Sequence, residues 1–341
     1  MPMPFQRSAM ITQTVPCGDW QPAGADLITD LAELRRVLDL PHTSSPDALA
    51  AADGFAVRVP RSYVARMRKG DPDDPLLRQV LASSEEVDVV PGYSADPLEE
   101  RDSTPVPGIL HKYHGRVLLM VTGACAVHCR YCFRRHFPYA EHVPGGERLA
   151  RALDWLAGRD DIQEVILSGG DPLSVSDRRL RQLLDALAGI PHVQRLRIHT
   201  RQPVVMPERV SDGLLAMLAG WPGGRVMVLH ANHARELDDS VRKACQQLAQ
   251  AGVTLLNQAV LLKGVNDGLE QQLALANTLF DAGVMPYYLH QLDRVQGAAH
   301  FQVSDDAARR LHGQLQARLP GYLVPRLVQE LPGAASKTAL V

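Results

Sequence analysis

Three of the chain's five cysteines fall within eight residues, as Cys125, Cys129 and Cys132 in the stretch TGACAVHCRYCFRRHFPY (Thr122 to Tyr139). Their spacing is C-x3-C-x2-C. Thiolates are the usual protein ligands of a 4Fe–4S cubane. Three thiolates on four irons leave one iron open to a small molecule, so such a site does chemistry as well as carry an electron. Other uses of the trio are weaker. His128 or His136 would complete half of a structural zinc site, but zinc motifs come as two pairs and no second CxxC is present. A disulfide framework is weaker still, because few, clustered cysteines fit a reducing compartment. Cys17 and Cys245 are isolated and read as a surface thiol and a helix-packing residue.

The triple-cysteine spacing, with aromatic Tyr131 before the last cysteine, resembles the radical S-adenosylmethionine (SAM) signature. The longer string CAVHCRYCFRRHF (Cys125 to Phe137) resembles the lysine 2,3-aminomutase branch of that superfamily. The resemblance runs from about Val59 to the C-terminus. Within the branch, the chain is similar to the aminomutases that supply β-lysine for modifying elongation factor P. The resemblance implies three cofactors: a 4Fe–4S cluster on Cys125, Cys129 and Cys132, SAM, and pyridoxal 5′-phosphate (PLP). It implies an isomerase that turns L-lysine into β-lysine, with a donor such as flavodoxin or ferredoxin reducing the cluster.

Further residues then acquire expected roles. SGGDPL (Ser168 to Leu173) ends an apolar run, and its glycines let backbone approach a ligand. A plain strand-to-helix turn would look the same. Beside a radical SAM cysteine loop, Ser168, Gly169, Gly170 and Asp171 resemble the contact to the methionine amine of SAM, with Tyr131 and Gln258 added as SAM neighbours. HKYHGR (His111 to Arg116) offers Lys112, Tyr113 and Arg116, two cations and a phenol that suit a phosphate ester. Its plainer reading is a solvated strand entrance. In the resemblance this stretch grips the PLP phosphate. Lys337, in PGAASKT, is by itself a tail lysine. It matches the lysine that holds PLP covalently in this family, a step that needs the neutral amine, which nearby cations would favour. Arg134 matches the residue for the substrate carboxylate, a role suited to a guanidinium fork. Arg135 reads as solvation of the cluster loop. Asp293 and Glu330 match two acids that meet the distal ammonium of lysine. Glu330 departs from the aspartate usual in free-lysine enzymes. His230, Asn232, His233 and Gln258 stand at strand ends, where they would line the SAM and PLP cavity or simply satisfy turns.

These residues need a frame. RVLLMVTG from Arg116 is a continuous apolar and β-branched run, as a buried parallel strand should be. Five similar runs follow: EVILSGG (164–170), RLRIHT (195–200), RVMVLH (225–230), TLLNQAV (254–260) and MPYYLH (285–290). Amphipathic segments separate them, several closed by glycine. Strand and helix alternating six times predict an α/β fold with a parallel sheet, curled into a partial (β/α)6 barrel. Function in such folds gathers on loops after the strand C-ends, where the cysteine loop lies. Ahead of the barrel (108–300), residues 1–107 read as a helical layer without catalytic groups. Ala25–Leu40 and Val59–Met67 are its helices, GDPDDPLLRQVL is a turn into another, and 92–107 is a surface linker. Behind it, 301–341 reads as a helix, a short strand-like run and the Lys337 loop.

Composition sets the remaining bounds. A chain of 341 residues, 45% hydrophobic, supports one large core or two smaller ones. Net charge of -2 implies no general nucleic-acid or membrane field. No apolar run of about 18 residues is present, and MPMPFQRSAM lacks a signal-peptide core, so a cytoplasmic enzyme is expected. Because the chain stops soon after Lys337, β-lysine is expected to pass to elongation factor P through a separate lysyl ligase. Free β-lysine as an osmolyte or precursor is the alternative product fate. A zinc-stabilised, non-catalytic binding module is the alternative of a different class. Glutamate as substrate fits poorly, since Asp293 and Glu330 would repel its distal carboxylate.

Overall fold

The computed structural model describes Trp20 and residues 26–41, 45–139 and 146–340, so Cys17 lies outside the described residues. In the N-terminal layer, β1 (Leu27–Ile28) pairs antiparallel with β2 (Val59–Pro60). The main sheet comprises β3 (Ile109–Tyr113), β4 (Arg116–Thr122), β5 (Glu164–Gly169), β6 (Arg195–Thr200), β7 (Gly224–Leu229), β8 (Thr254–Val260), β9 (Met285–His290), β10 (Arg326–Gln329) and β11 (Thr338–Ala339). They are hydrogen-bonded in that order. β4 through β10 run parallel, and β3 and β11 add antiparallel edges.

All six expected strands form. β5 is buried along its whole length, as a parallel strand covered on both faces must be. Four of the intervening helices start on side-chain caps. Ser176, Ser211, Asp238 and Ser304 each accept a backbone N–H of the first turn that would otherwise lack a partner. Gly252 and Gly283, at φ 79° and 76°, turn the chain from helices Asp239–Gln250 and Leu269–Asp281 into the next strands. Helices and sheet share one core, in which Cys245 is a packed helix residue as expected.

Two strands exceed expectation. Ile109–Tyr113 is a strand of its own rather than an entrance to β4, folded back at Gly115 (φ 72°). In the C-terminal region β10 joins β9 with Arg326 opposite Tyr288, making a seventh parallel strand that carries Glu330 to the same sheet end as the cysteine loop. Tyr113 of β3 donates a hydrogen bond to Glu330 at 3.2 Å, so the two ends of the sheet curl toward each other as a partial barrel.

The N-terminal layer differs more. The helix expected over Ala25–Leu40 is confined to Leu31–Val37. Asp30 caps it, and Leu27–Ile28 are drawn into β1. Val59–Pro60 is likewise strand, with a single helical turn Arg61–Val64 after it. GDPDDPLLRQVL leads into a 3-10 turn, Leu77–Gln79. Ala126 and Val127 of the cysteine loop sit in this layer's core with Val59, Tyr63, Leu76 and Leu77. The backbone joins too, from His128 N–H to Arg58 O and from Arg130 N–H to Gln79 O, both 2.9 Å. The cysteine loop is therefore held between barrel and N-terminal layer. Nor is 92–107 a mere surface linker, because Glu100 within it is 3% exposed.

Candidate active site

The curled sheet encloses a cavity of about 640 Å³. Cys125, Cys129, Cys132, Tyr131, Ser168, Gly169, Gly170, Asp171, Gln258, Lys112, Tyr113, Arg116, Arg134, Asp293, Glu330 and Lys337 all line it. Residues far apart in sequence, singled out one by one, thus meet in one space.

The cysteine loop leaves the C-end of β4 and turns tightly, with Cys132 N–H bonded to Cys129 O at 3.0 Å. The turn after β5 is zipped to it by Gly170 N–H to Thr122 O at 2.7 Å and Asp171 N–H to Ala124 O at 2.8 Å. A Cβ on Gly169 would stand 2.6 Å from Thr122 O, and one on Gly170 2.5 Å from Ala124 O. These glycines therefore let the cysteine loop's own backbone approach, beyond any approach of a ligand. Asp171 is committed likewise. Its carboxylate accepts from Thr200 Oγ1 and Arg201 N–H, both at 2.7 Å, from Leu173 N–H at 3.0 Å and from Gln202 N–H at 3.2 Å. It ties the loops after β5 and β6 together, and the backbone is left to meet a ligand. The histidines that would complete a zinc site are used elsewhere, His128 on Ala56 O at 2.8 Å and His136 on Gln296 O at 3.2 Å.

Behind the loop lies a buried polar network. Arg201 donates to Cys129 Sγ (2.8 Å), Tyr131 Oη (2.9 Å), Gln79 Oε1 (2.6 Å) and Glu236 Oε2 (2.8 Å). The Tyr131 hydroxyl is thus turned into this network, where Asn232 donates to it at 2.7 Å and His230 Nε2 meets it at 2.8 Å. Of the strand-end residues, His230 and Gln258 line the cavity. Asn232 stands behind it, and His233 caps the turn Ala234–Glu236. Arg135 does not solvate the loop. Its side chain is 5% exposed and pairs with buried Glu86 at 2.8 Å beside Arg130.

Across the cavity the charges alternate. Arg134 makes a two-point bond to Glu100, with Nε to Oε2 at 2.7 Å and Nη2 to Oε1 at 2.8 Å. Lys112 Nζ lies 3.6 Å from both Glu100 and Glu330. Lys337 Nζ donates to Glu330 at 2.5 Å. The neighbour of Lys337 is thus a carboxylate, where cations were expected. Arg116 lies over the Tyr113 ring, 4.9 Å from its centroid. Burial would raise the Glu330 carboxyl, but Lys337 and Lys112 overcome it and hold it down to about 2. Among the described residues Asp293 makes no ion pair, and the more distant Lys337 and Lys112 do not offset its burial. Burial pushes it up to about 7, aided by the nearby Glu330 charge. His199 and His230 are held down to about 3 by burial and by the arginines beside them, so both imidazoles are neutral.

Glu100, Arg201, His199 and His290 are site residues that sequence reasoning did not single out. The two histidines stand near the C-ends of β6 and β9 and line the cavity with buried, unpartnered Nε2 atoms, so strand-end position was the available signal. Glu100 gave none.

The profile of the radical SAM superfamily matches residues 119–275. The L-lysine 2,3-aminomutase of Escherichia coli (strain K12) is 52% identical over 323 residues, 94% of this chain and 94% of that protein. The chain belongs to the L-lysine 2,3-aminomutase family. Its relatives in Haemophilus influenzae and Clostridium subterminale are 47% and 34% identical, covering 94% and 95% of this chain and 95% and 78% of their own lengths. As a member of this family the protein is a radical SAM isomerase, whose cofactors are a 4Fe–4S cluster, SAM and PLP. The cavity's donor set suits them, with three thiols on one loop, the amine of Lys337 just before β11, and Lys112, Tyr113 and Arg116 on the paired strands β3 and β4. Among the described residues, no helix is long and apolar enough to cross a membrane.

Proposed function

We propose that this protein is an L-lysine 2,3-aminomutase, moving the 2-amino group of L-lysine to C3 to give β-lysine. The observation that carries this reading is the single cavity in which three loop thiols, Lys337, Arg134, Asp293 and Glu330 meet. When bound, the reduced cluster and SAM supply a 5′-deoxyadenosyl radical and PLP carries the migrating nitrogen. Cys125, Cys129 and Cys132 hold the cluster. The backbone of Ser168, Gly169 and Gly170, braced by Asp171, faces SAM together with Gln258 and Tyr131. Lys337 holds PLP, and Lys112, Tyr113 and Arg116 face its phosphate. Arg134 orients the substrate carboxylate, while Asp293 and Glu330 take the distal ammonium, so the substrate is fixed at both ends. Glu330 holds Lys337 in the absence of ligand, and the same carboxylate is free for the substrate ammonium once Lys337 is engaged elsewhere. Burial of the cavity keeps water from a reactive radical.

The reductant in this reading is a low-potential donor such as flavodoxin or ferredoxin, in a reducing cytoplasm. The product passes through a separate lysyl ligase to elongation factor P, with free β-lysine as the other fate. The assay is anaerobic, with iron, sulfide, PLP, SAM, dithionite and L-lysine. β-Lysine that is lost in Cys129→Ala and Lys337→Ala supports the reading. Turnover of L-glutamate in place of L-lysine would overturn the substrate.

A further inference from the structure

We infer that Glu100 is a positioning residue that aims Arg134 at the substrate carboxylate. The inference rests on the reading of Arg134 as the partner of that carboxylate. A guanidinium carries five N–H donors, which form one two-point edge through Nε and Nη2 and another through Nη1 and Nη2. Glu100 occupies the first edge, at 2.7 and 2.8 Å. The second edge makes only long contacts, from Nη1 to Ser168 Oγ at 3.3 Å and to Gly169 O at 3.4 Å. That edge remains available to a second carboxylate in the cavity.

Glu100 is itself fixed. It is 3% exposed and Arg134 is 7% exposed, so neither swings freely into water. Its segment is pinned to the loop that carries Asp293. Ser94 N–H bonds Arg294 O at 3.0 Å, and Gln296 N–H bonds Ser94 O at 2.9 Å. Lys112 on β3 adds a cation 3.6 Å from the same carboxylate. The segment 92–107 therefore connects the two substrate-facing ends of the cavity, Arg134 at one and Asp293 at the other. Holding the guanidinium in one orientation beforehand removes an ordering cost from substrate binding, an effect that appears in KM rather than in the chemical step.

The test is a double-mutant cycle on the reconstituted full chain, with KM for L-lysine read separately from kcat. Glu100→Gln is expected to raise KM about tenfold, equivalent to a loss of about 1.4 kcal/mol, and to change kcat far less. Glu100→Asp keeps the charge and is expected to give a smaller rise. In an Arg134→Gln background, Glu100→Gln is expected to change KM no further. An unchanged KM in Glu100→Gln, or equal rises in both backgrounds, overturns the inference while leaving Arg134 in its role. An unchanged KM in Arg134→Gln alone instead removes the reading beneath it. If neither Glu100 variant folds, as judged by circular dichroism, Glu100 serves stability and the inference is overturned.

Discussion

Asp293 and Glu330 share one cavity and one net charge, yet their proton affinities are driven apart. Glu330 has Lys337 at 2.5 Å and Lys112 at 3.6 Å, while Asp293 has burial and a like charge. An ordinary aspartate titrates near 3.9 when unfolded. With Asp293 raised to about 7 in the fold, the folded chain binds a proton that the unfolded chain has released. Below about pH 4 both states are protonated and the difference vanishes; as pH rises from there to about 7, the folded state loses stability. Asp293→Asn is therefore expected to stabilise the ligand-free protein at pH 8 by on the order of a few kcal/mol and to do nothing near pH 4. Urea unfolding at the two pH values checks this, and an equal effect at both would contradict it. In the role proposed for Asp293 the substrate ammonium meets its ionised form, so kcat/KM is expected to fall as pH drops through about 7. At this scale the cysteines, Lys337 and the two acids were legible through spacing and resemblance. Glu100 and Arg201 were not, because their meaning lies in partners 34 and 72 residues away, Arg134 and Cys129.

At the scale of elements, the cysteine loop is a backbone structure before it is a ligand set. The turn after β5 presses two glycines against it, at distances no Cβ tolerates. Gly170→Ala is expected to force the two loops apart, costing about 1–3 kcal/mol as overpacking does. Iron retained after reconstitution should fall together with the unfolding midpoint. Full iron content at wild-type stability would show that the contact is dispensable. The six long strands were readable because each is rich in apolar and β-branched or aromatic residues and is followed by a helical segment, even though burial is complete in β5 and alternates along β6 and β8. β3, β10 and β11 were missed or half-seen because they are short and partly polar, and their pairing is set by neighbours in space. The N-terminal helix was overextended for the same reason, since a pairing with Val59–Pro60 claims Leu27–Ile28.

At the scale of the whole molecule, three regions of the chain converge on one cavity: the barrel, the C-terminal strands and the segment around Glu100. A helical layer without catalytic groups was expected of the first hundred residues. Instead they hold the cysteine loop through Gln79 and Glu86 and supply Glu100. In the proposed function that convergence grips a single substrate at both ends while its amino group moves by one carbon. Nitrogen tracing tests it most directly. L-Lysine labelled with 15N on its α-amino group is incubated anaerobically with the reconstituted protein, and the product is read by NMR. A 2,3-aminomutase returns β-lysine with the label on C3. Unchanged lysine alongside SAM cleaved to 5′-deoxyadenosine would contradict it, leaving a radical enzyme whose substrate is not lysine.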